Sequence, residues 1–143
     1  MAFRDDWFPT EKLHRAAADG DMDRARELIR ERAPLNAFDD IGYTPLDHAV
    51  KSRHVAMVNL LLDAGADINA REEETNSDTA VSVAAADTSP EIVKLLLERG
   101  ADPGITGWMG VDANYRAGQR RDSLREEVLA VLNQHAKQRG NAA

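Results

Sequence analysis

Four histidines, two acidic clusters and a set of spaced glycines are the residues of this chain that could carry chemistry. His14, His48, His54 and His135 stand far apart, and none belongs to a His-Glu-x-x-His helix that would hold zinc beside a general base. Asp39 with Asp40, and Glu72 with Glu73 and Glu74, supply adjacent carboxylates. Paired acid and base work needs burial that drives two pKa values apart, and both clusters fall in polar stretches expected to be exposed loop tips. Gly104, Gly107 and Gly110 are evenly spaced, yet no strand precedes them, so they fit tight turns better than a phosphate loop. No nucleophile motif is present, and the absence of cysteine removes thiolate catalysis, disulfides and cysteine-held metals together. The expectation is a protein that is not an enzyme and takes no cofactor or metal.

The elements that position these residues recur. Thr44-Pro45-Leu46-Asp47-His48-Ala49, followed by Val58-Asn59-Leu60-Leu61-Leu62-Asp63-Ala64-Gly65-Ala66-Asp67-Ile68-Asn69-Ala70, has a copy 35 residues on. That copy runs from Thr79-Ala80-Val81-Ser82-Val83-Ala84 through Val93-Lys94-Leu95-Leu96-Leu97-Glu98-Arg99-Gly100-Ala101-Asp102. Thr44 is a good N-cap, and Pro45 suits the first helical position, where a missing amide hydrogen costs nothing. Leu46, Ala49 and Val50 then form an apolar stripe at i, i+3 and i+4, with a small alanine that lets a neighbouring helix approach. Val55, Val58, Leu61 and Leu62 give a second stripe, ending at Gly65, which is free to take the left-handed conformation that closes a helix. The same spacing returns at Val81, Ala84 and Ala85, and again at Ile92, Val93, Leu96, Leu97 and Gly100. Each unit is predicted to be a helical hairpin with one buried side, and such hairpins must stack to bury it.

Fainter copies flank these two. A shift of 33 residues upstream from Leu46 reaches Leu13-His14-Arg15-Ala16-Ala17-Ala18-Asp19-Gly20-Asp21, with Leu28-Ile29 and Leu35-Asn36-Ala37 following. Downstream, Gly107-Trp108-Met109-Gly110-Val111-Asp112 aligns with Gly42-Tyr43-Thr44-Pro45-Leu46-Asp47, and Val128 to Leu132 serves as a second helix after about five inserted residues. The pattern resembles the ankyrin repeat, whose period is about 33 residues and whose signature includes Thr-Pro-Leu-His-x-Ala. That resemblance implies an all-α fold: an ankyrin-type solenoid of stacked helix-turn-helix repeats with short hairpin-like connecting loops. Repeats are expected at about 10–38, 39–71, 72–104 and 105–138, in a single domain over 10–138, with an N-terminal lead of residues 1–9 and a flexible tail of 139–143. Asp47 and Asp112 stand at the signature histidine on this alignment, where they are expected to rewire a local hydrogen bond. His14 keeps that place in the first repeat, and His54 falls on another histidine common in such repeats.

Charge sets the partners that are expected. The chain holds 18 Lys and Arg against 25 Asp and Glu, a formal net charge of -7, while residues 113–143 alone hold six basic and three acidic side chains. A field of that sign repels phosphate backbones, which excludes nucleic acid and favours a protein with a basic surface. No run of apolar residues is long enough to span a bilayer and the N-terminus has no signal-like apolar region, so no membrane is expected and the cytoplasm is the expected location. The protein is expected to be a monomer. Charged side chains over the second helix of the first copy (Asp21, Asp23, Arg24, Arg26, Glu27, Arg30, Glu31, Arg32), and Arg116, Arg120, Arg121, Arg125, Glu126 and Glu127 in the last, are expected to be polar caps that complete the array.

Proteins of the ankyrin type, as the resemblance implies, bind partners through the concave side of the stack, so a non-enzymatic protein-protein interaction module is expected. The alignment carries over Asp40, Ile41 and Tyr43 at the first loop tip, Lys51 and Ser52 on the helix beside it, Asp87 one repeat on, and Trp108 at the last tip. Glu72, Glu73, Glu74, Asn76 and Asp78 lie in a loop two residues longer than the period demands, read either as a solvated tip or as an acidic finger. Tyr and Trp are enriched at binding hot spots, so Tyr43 and Trp108 are either contact residues or packed beneath their own loops. Two further readings stay open: an inhibitor or immunity protein that neutralises a basic toxin or enzyme, and a general scaffold.

Overall fold

The computed structural model describes residues 11–73 and 78–141, with Trp108 and Asn141 described by their backbone alone. The expected lead, Glu74, Asn76 and the last two residues of the expected tail lie outside the described residues. Within them the regular elements are helices joined by turns and loops: α1 (Lys12–Asp19), α2 (Met22–Arg30), α3 (Pro45–Lys51), α4 (Val55–Asp63), α5 (Ala80–Asp87), α6 (Pro90–Glu98), α7 (Ala113–Gly118) and α8 (Arg125–Asn141). A 3-10 turn, Trp108–Gly110, precedes α7. No strand occurs among the described residues, and no helix there is long and apolar enough to cross a membrane.

Local chemistry sets these boundaries. Thr44, Thr79 and Asp112 each hold extended backbone and accept, on a side-chain oxygen, the amide of the residue three further on: Asp47, Ser82 and Tyr115. Pro45 and Pro90 occupy first helical positions. At the other ends, Ala66 N–H reaches the Leu61 carbonyl and Gly65 N–H the Leu62 carbonyl, and Ala101 and Gly100 do the same to Leu96 and Leu97. Gly65 and Gly100 are left-handed (φ 106° and 100°), which completes this doubly bonded helix stop. Arg53 holds the equivalent place after α3 with φ 63°. Its guanidinium justifies the strain by donating to the Asp87 carbonyl of the next repeat at 2.7 Å. Gly20, with φ 70°, is a glycine for two reasons, because a Cβ there would also sit 2.9 Å from the His54 ring.

The eight helices form four antiparallel pairs. The inner helices α1, α3, α5 and α7 pack each on the next, and outside them α2 lies on α4 and α6 on α8. Small side chains make the inner contact close: Ala17, Ala49, Ala84 and Ala117 are all 0% exposed. Leu28, then Met57, Val58 and Leu61, then Ile92, Val93, Leu96 and Leu97, then Val128 and Leu132 close the core from the outer row. Side chains tie repeat to repeat. Asn36 Oδ1 accepts the Asp67 amide at 2.7 Å, and Asn69 Oδ1 accepts the Asp102 amide at 2.8 Å, one repeat later.

Several expectations need correction. Val55 is exposed, and Met57 takes its place in the α4 stripe. Asp112 is an N-cap, the counterpart of Thr44 and not of Asp47, so the fourth repeat is aligned 68 residues from the second instead of 65. With that register only two extra residues separate the cap from Val128, compared with Thr44 to Val58. Residues 139–141, expected in a flexible tail, continue α8, since Lys137, Gln138 and Arg139 are good helix formers and Arg139 suits a C-terminal turn. Arg120, expected on the outer polar cap, is buried, and Arg116 is half-buried. The charged residues of the first copy do line the solvent side of α2.

Candidate interaction surface

The loop before α3 is built on Asp39. Its Oδ1 accepts the amides of Ile41 and Tyr43 at 3.1 and 2.9 Å, and its Oδ2 accepts His48 Nε2–H at 2.6 Å. Burial works to raise this carboxyl, but the His48 hydrogen bond and the Tyr43 and Ile41 amides outweigh it and hold it below the ordinary carboxylate value. The His48 ring lies edge-on to Tyr43 and to His14, with centroids 5.4 and 5.8 Å apart, and His14 Nε2 donates to the Ala37 carbonyl at 2.7 Å. One carboxylate thereby fixes the loop tip, the tyrosine and the start of the helix that follows.

Four of the residues expected to bind a partner come together here. Tyr43, Lys51, Asp78 and Asp87 line one hollow of about 200 Å³, with Val83, Ala86, Thr88 and Arg116 completing it. Lys51 Nζ sits 5.3 Å from the centre of the Tyr43 ring, a cation over an aromatic face. Asp78 pairs with Arg116 at 2.8 Å across the step from repeat three to repeat four, so it is a structural partner as well as a lining residue. Among the described residues, the leftover atoms of that pair, Asp78 Oδ1 and Arg116 Nε, are buried with no hydrogen-bond partner. Arg116 belongs to this wall, and sequence reasoning assigned it to a cap. The signal that could have placed it is the N-cap register, which sets Arg116 at the same helical position as His48 and Val83.

The remaining expected contacts lie elsewhere. Asp40 and Ile41 project from the loop tip, both exposed. Ser52 caps the C-terminus of α3 in solvent. Glu73 lines a second, shallower hollow of about 420 Å³ with Asn36, Asp67, Asn69 and Arg71, and Glu72 is half-buried beside it. Trp108 starts the turn before α7, and the exposed tip residue of that turn is its neighbour Met109, which the sequence reading did not single out.

Asp47 is interior. It is 1% exposed and closes a capping box with Thr44, whose amide it accepts at 3.0 Å. Burial pushes its carboxyl up to about 7, against the Thr44 hydrogen bonds and with added repulsion from Asp39 and Asp78. Among the described residues no three His, Cys, Asp or Glu side chains are grouped to hold a metal ion.

Comparison with known proteins gives the stack its kinship. A family model described as "Ankyrin repeats (3 copies)" matches residues 3–72, and one described as "Ankyrin repeat" matches residues 76–108. The ankyrin repeat and KH domain-containing protein mask-1 of Caenorhabditis elegans is 39% identical over 133 residues, covering 90% of this chain and 5% of its own length. The E3 ubiquitin-protein ligase hecd-1 of the same organism is 29% identical over 127 residues, again 5% of its length. A putative ankyrin repeat-containing protein of Treponema pallidum is 32% identical over 105 residues, 73% of this chain and 35% of the relative. The chain thus spans a small part of the relatives it matches. With four stacked helical pairs and repeat matches from residue 3 to residue 108, the chain belongs to the ankyrin-repeat family.

Proposed function

We propose that this stack is a non-catalytic recognition module that holds another protein along its concave side, centred on the hollow bounded by Tyr43, Lys51, Asp87 and Arg116. The observation that carries the reading is preorganisation. Asp39 pins the loop and Tyr43 together, Lys51 rests on the tyrosine ring, and Arg116 bonds Asp78, so little ordering entropy is lost when a partner docks. Exposed Asp19, Asp40, Glu73 and Asp87, with a net charge of -7, favour a partner with a basic surface and disfavour nucleic acid. A cationic enzyme or toxin held in an inhibitory complex is one form of such a partner. The proposal takes the protein to act as a cytoplasmic monomer, which light scattering and cell fractionation test.

The decisive experiment is capture from native cells on immobilised wild-type protein, Tyr43→Ala and Lys51→Glu. The expected result is one dominant partner whose affinity falls about tenfold or more in Tyr43→Ala and rises in Lys51→Glu, which frees the tyrosine ring and removes a cation facing a basic partner, while circular dichroism stays helical. A partner retained equally by both variants would place the contact elsewhere and overturn the reading.

A further inference from the structure

Tyr43, the aromatic wall of the concave hollow, is held by two carboxylates that differ in their surroundings. Its own amide donates to Asp39 Oδ1 at 2.9 Å, and the amide of the next residue, Thr44, donates to Asp47 Oδ2 at 3.0 Å. Asp39 is paired with His48 at 2.6 Å. Asp47 is 1% exposed and pairs with no cation among the described residues. One repeat on, Thr79 caps α5 over Ser82, buried at the equivalent place, so closing a helix start of this kind does not require an acid.

The titratable groups packed around Asp47 repel its charge or are engaged elsewhere. Asp39, in the loop before α3, and Asp78, before α5, oppose a second negative charge between them. His48 on α3 is bonded to Asp39, Arg116 on α7 to Asp78, His14 on α1 to the Ala37 carbonyl and His54 at the start of α4 to the Ala18 carbonyl. A buried carboxylate without a cation is costly, so Asp47 keeps its proton while the start of α3 is closed, and burial pushes the group up to about 7. Where water reaches it, the carboxyl releases that proton near its ordinary value of 3.8. Closure is therefore fully favoured below about pH 4 and loses ground as pH rises through about 7. We propose that Asp47 is a proton-operated latch on the recognition surface: protonated, it closes the start of α3 and presents Tyr43; ionised, it releases Thr44 and lets the tyrosine loop open. The latch belongs to the free chain, while its control of recognition rests on the concave-side reading.

Hydrogen exchange of the full chain, followed amide by amide by NMR from pH 5 to pH 6.5, tests the latch without a partner. Each opening releases one proton, which multiplies the opening equilibrium by about ten per pH unit, on top of the factor of about ten that hydroxide catalysis gives any amide. The Tyr43 and Thr44 amides of the wild type should therefore exchange about a hundredfold faster per pH unit, and those of Asp47→Asn and Asp47→Ser only about tenfold. Both amides should also exchange about tenfold or more faster than Leu96 in the core of α6, because the opening is local. A tenfold rise in the wild type, a hundredfold rise that persists in both variants, or exchange no faster than Leu96 overturns the latch. With the partner captured as above, affinity should fall about threefold or more from pH 6 to pH 8 in the wild type and not in Asp47→Asn, since only the closed fraction binds. A partner that needs Tyr43 yet shows one pH dependence with both proteins overturns the latch as a control of recognition. Exchange as expected, with a partner indifferent both to pH and to Tyr43→Ala, overturns the concave-side reading alone and supports the latch.

Discussion

Asp47 spends the folded state almost wholly out of water, and its carboxyl is raised by that burial to about 7 from an ordinary value of 3.8. Between those two values the folded protein keeps a proton that the unfolded chain has released. A group raised in this way contributes stability that is fully present below about pH 4 and is lost as pH rises through about 7. Roughly three pH units at about 1.4 kcal/mol each amount to about 4 kcal/mol over the window. Asp47→Asn keeps an oxygen to accept the Thr44 amide and carries no charge at any pH, so the same term vanishes. Urea unfolding followed by circular dichroism at pH 5, 6, 7 and 8 reads the difference directly. The stability of the variant relative to wild type should climb by about 3 kcal/mol from pH 5 to pH 8. Asp39, depressed in the folded state, supplies stability that is lost only as pH falls below the ordinary carboxylate range, outside this window. The histidines are common to both proteins and cancel in the difference. If the two stability curves run parallel from pH 5 to pH 8, Asp47 is ionised when folded, and the helix N-terminus and Thr44 outweigh burial.

Two further substitutions probe the stack. Asn69→Ala removes the acceptor of the half-buried Asp102 amide and should cost about 1 kcal/mol in urea unfolding, more than Asn36→Ala, whose bond is exposed. Gly20→Ala forces a Cβ against the His54 ring in a left-handed backbone; it should cost about 2 kcal/mol and lower the melting temperature by several degrees. Unchanged melting in Gly20→Ala would mean that the α1–α2 turn can reopen without penalty.

Much of the fold was readable because its determinants are local. Thr44-Pro45, Ser89-Pro90, the leucine runs and Gly65 and Gly100 each fix a helix end or face within a few residues, and the structure places them as that chemistry requires. The fourth repeat was misaligned because Gly107 was matched to Gly42, when the left-handed glycine of that loop is Gly110. Cap chemistry is the better ruler there, as Asp112 accepts the Tyr115 amide just as Thr44 accepts that of Asp47. The slip hid Met109 as the counterpart of Ile41. Arg120 was beyond sequence reasoning for another reason. Its guanidinium grips Asp122 two residues away but also donates to the Ala85 carbonyl 35 residues away, and only that second bond explains why it is buried.

Those long-range arginine bonds also bear on the sign of the surface that a partner meets. Arg53 reaches the Asp87 carbonyl, Arg71 the Thr106 carbonyl at 2.8 Å, Arg116 the Asp78 carboxylate and Arg120 the Ala85 carbonyl. Each crosses to a neighbouring repeat, so four cations near the loops and inner helices are committed to holding the stack together. Asp40 and Glu73 remain exposed on the same side. These arginines keep their positive charge, so the preference proposed for a basic partner rests on the excess of carboxylates, while the arginines themselves cannot be displaced without breaking a repeat contact. Lys51 differs, because an exposed ammonium resting on an aromatic ring can be displaced without breaking a repeat contact. A basic side chain arriving at Tyr43 would compete with Lys51 for the same ring face, which makes Lys51 the position where affinity can be tuned with least effect on the scaffold.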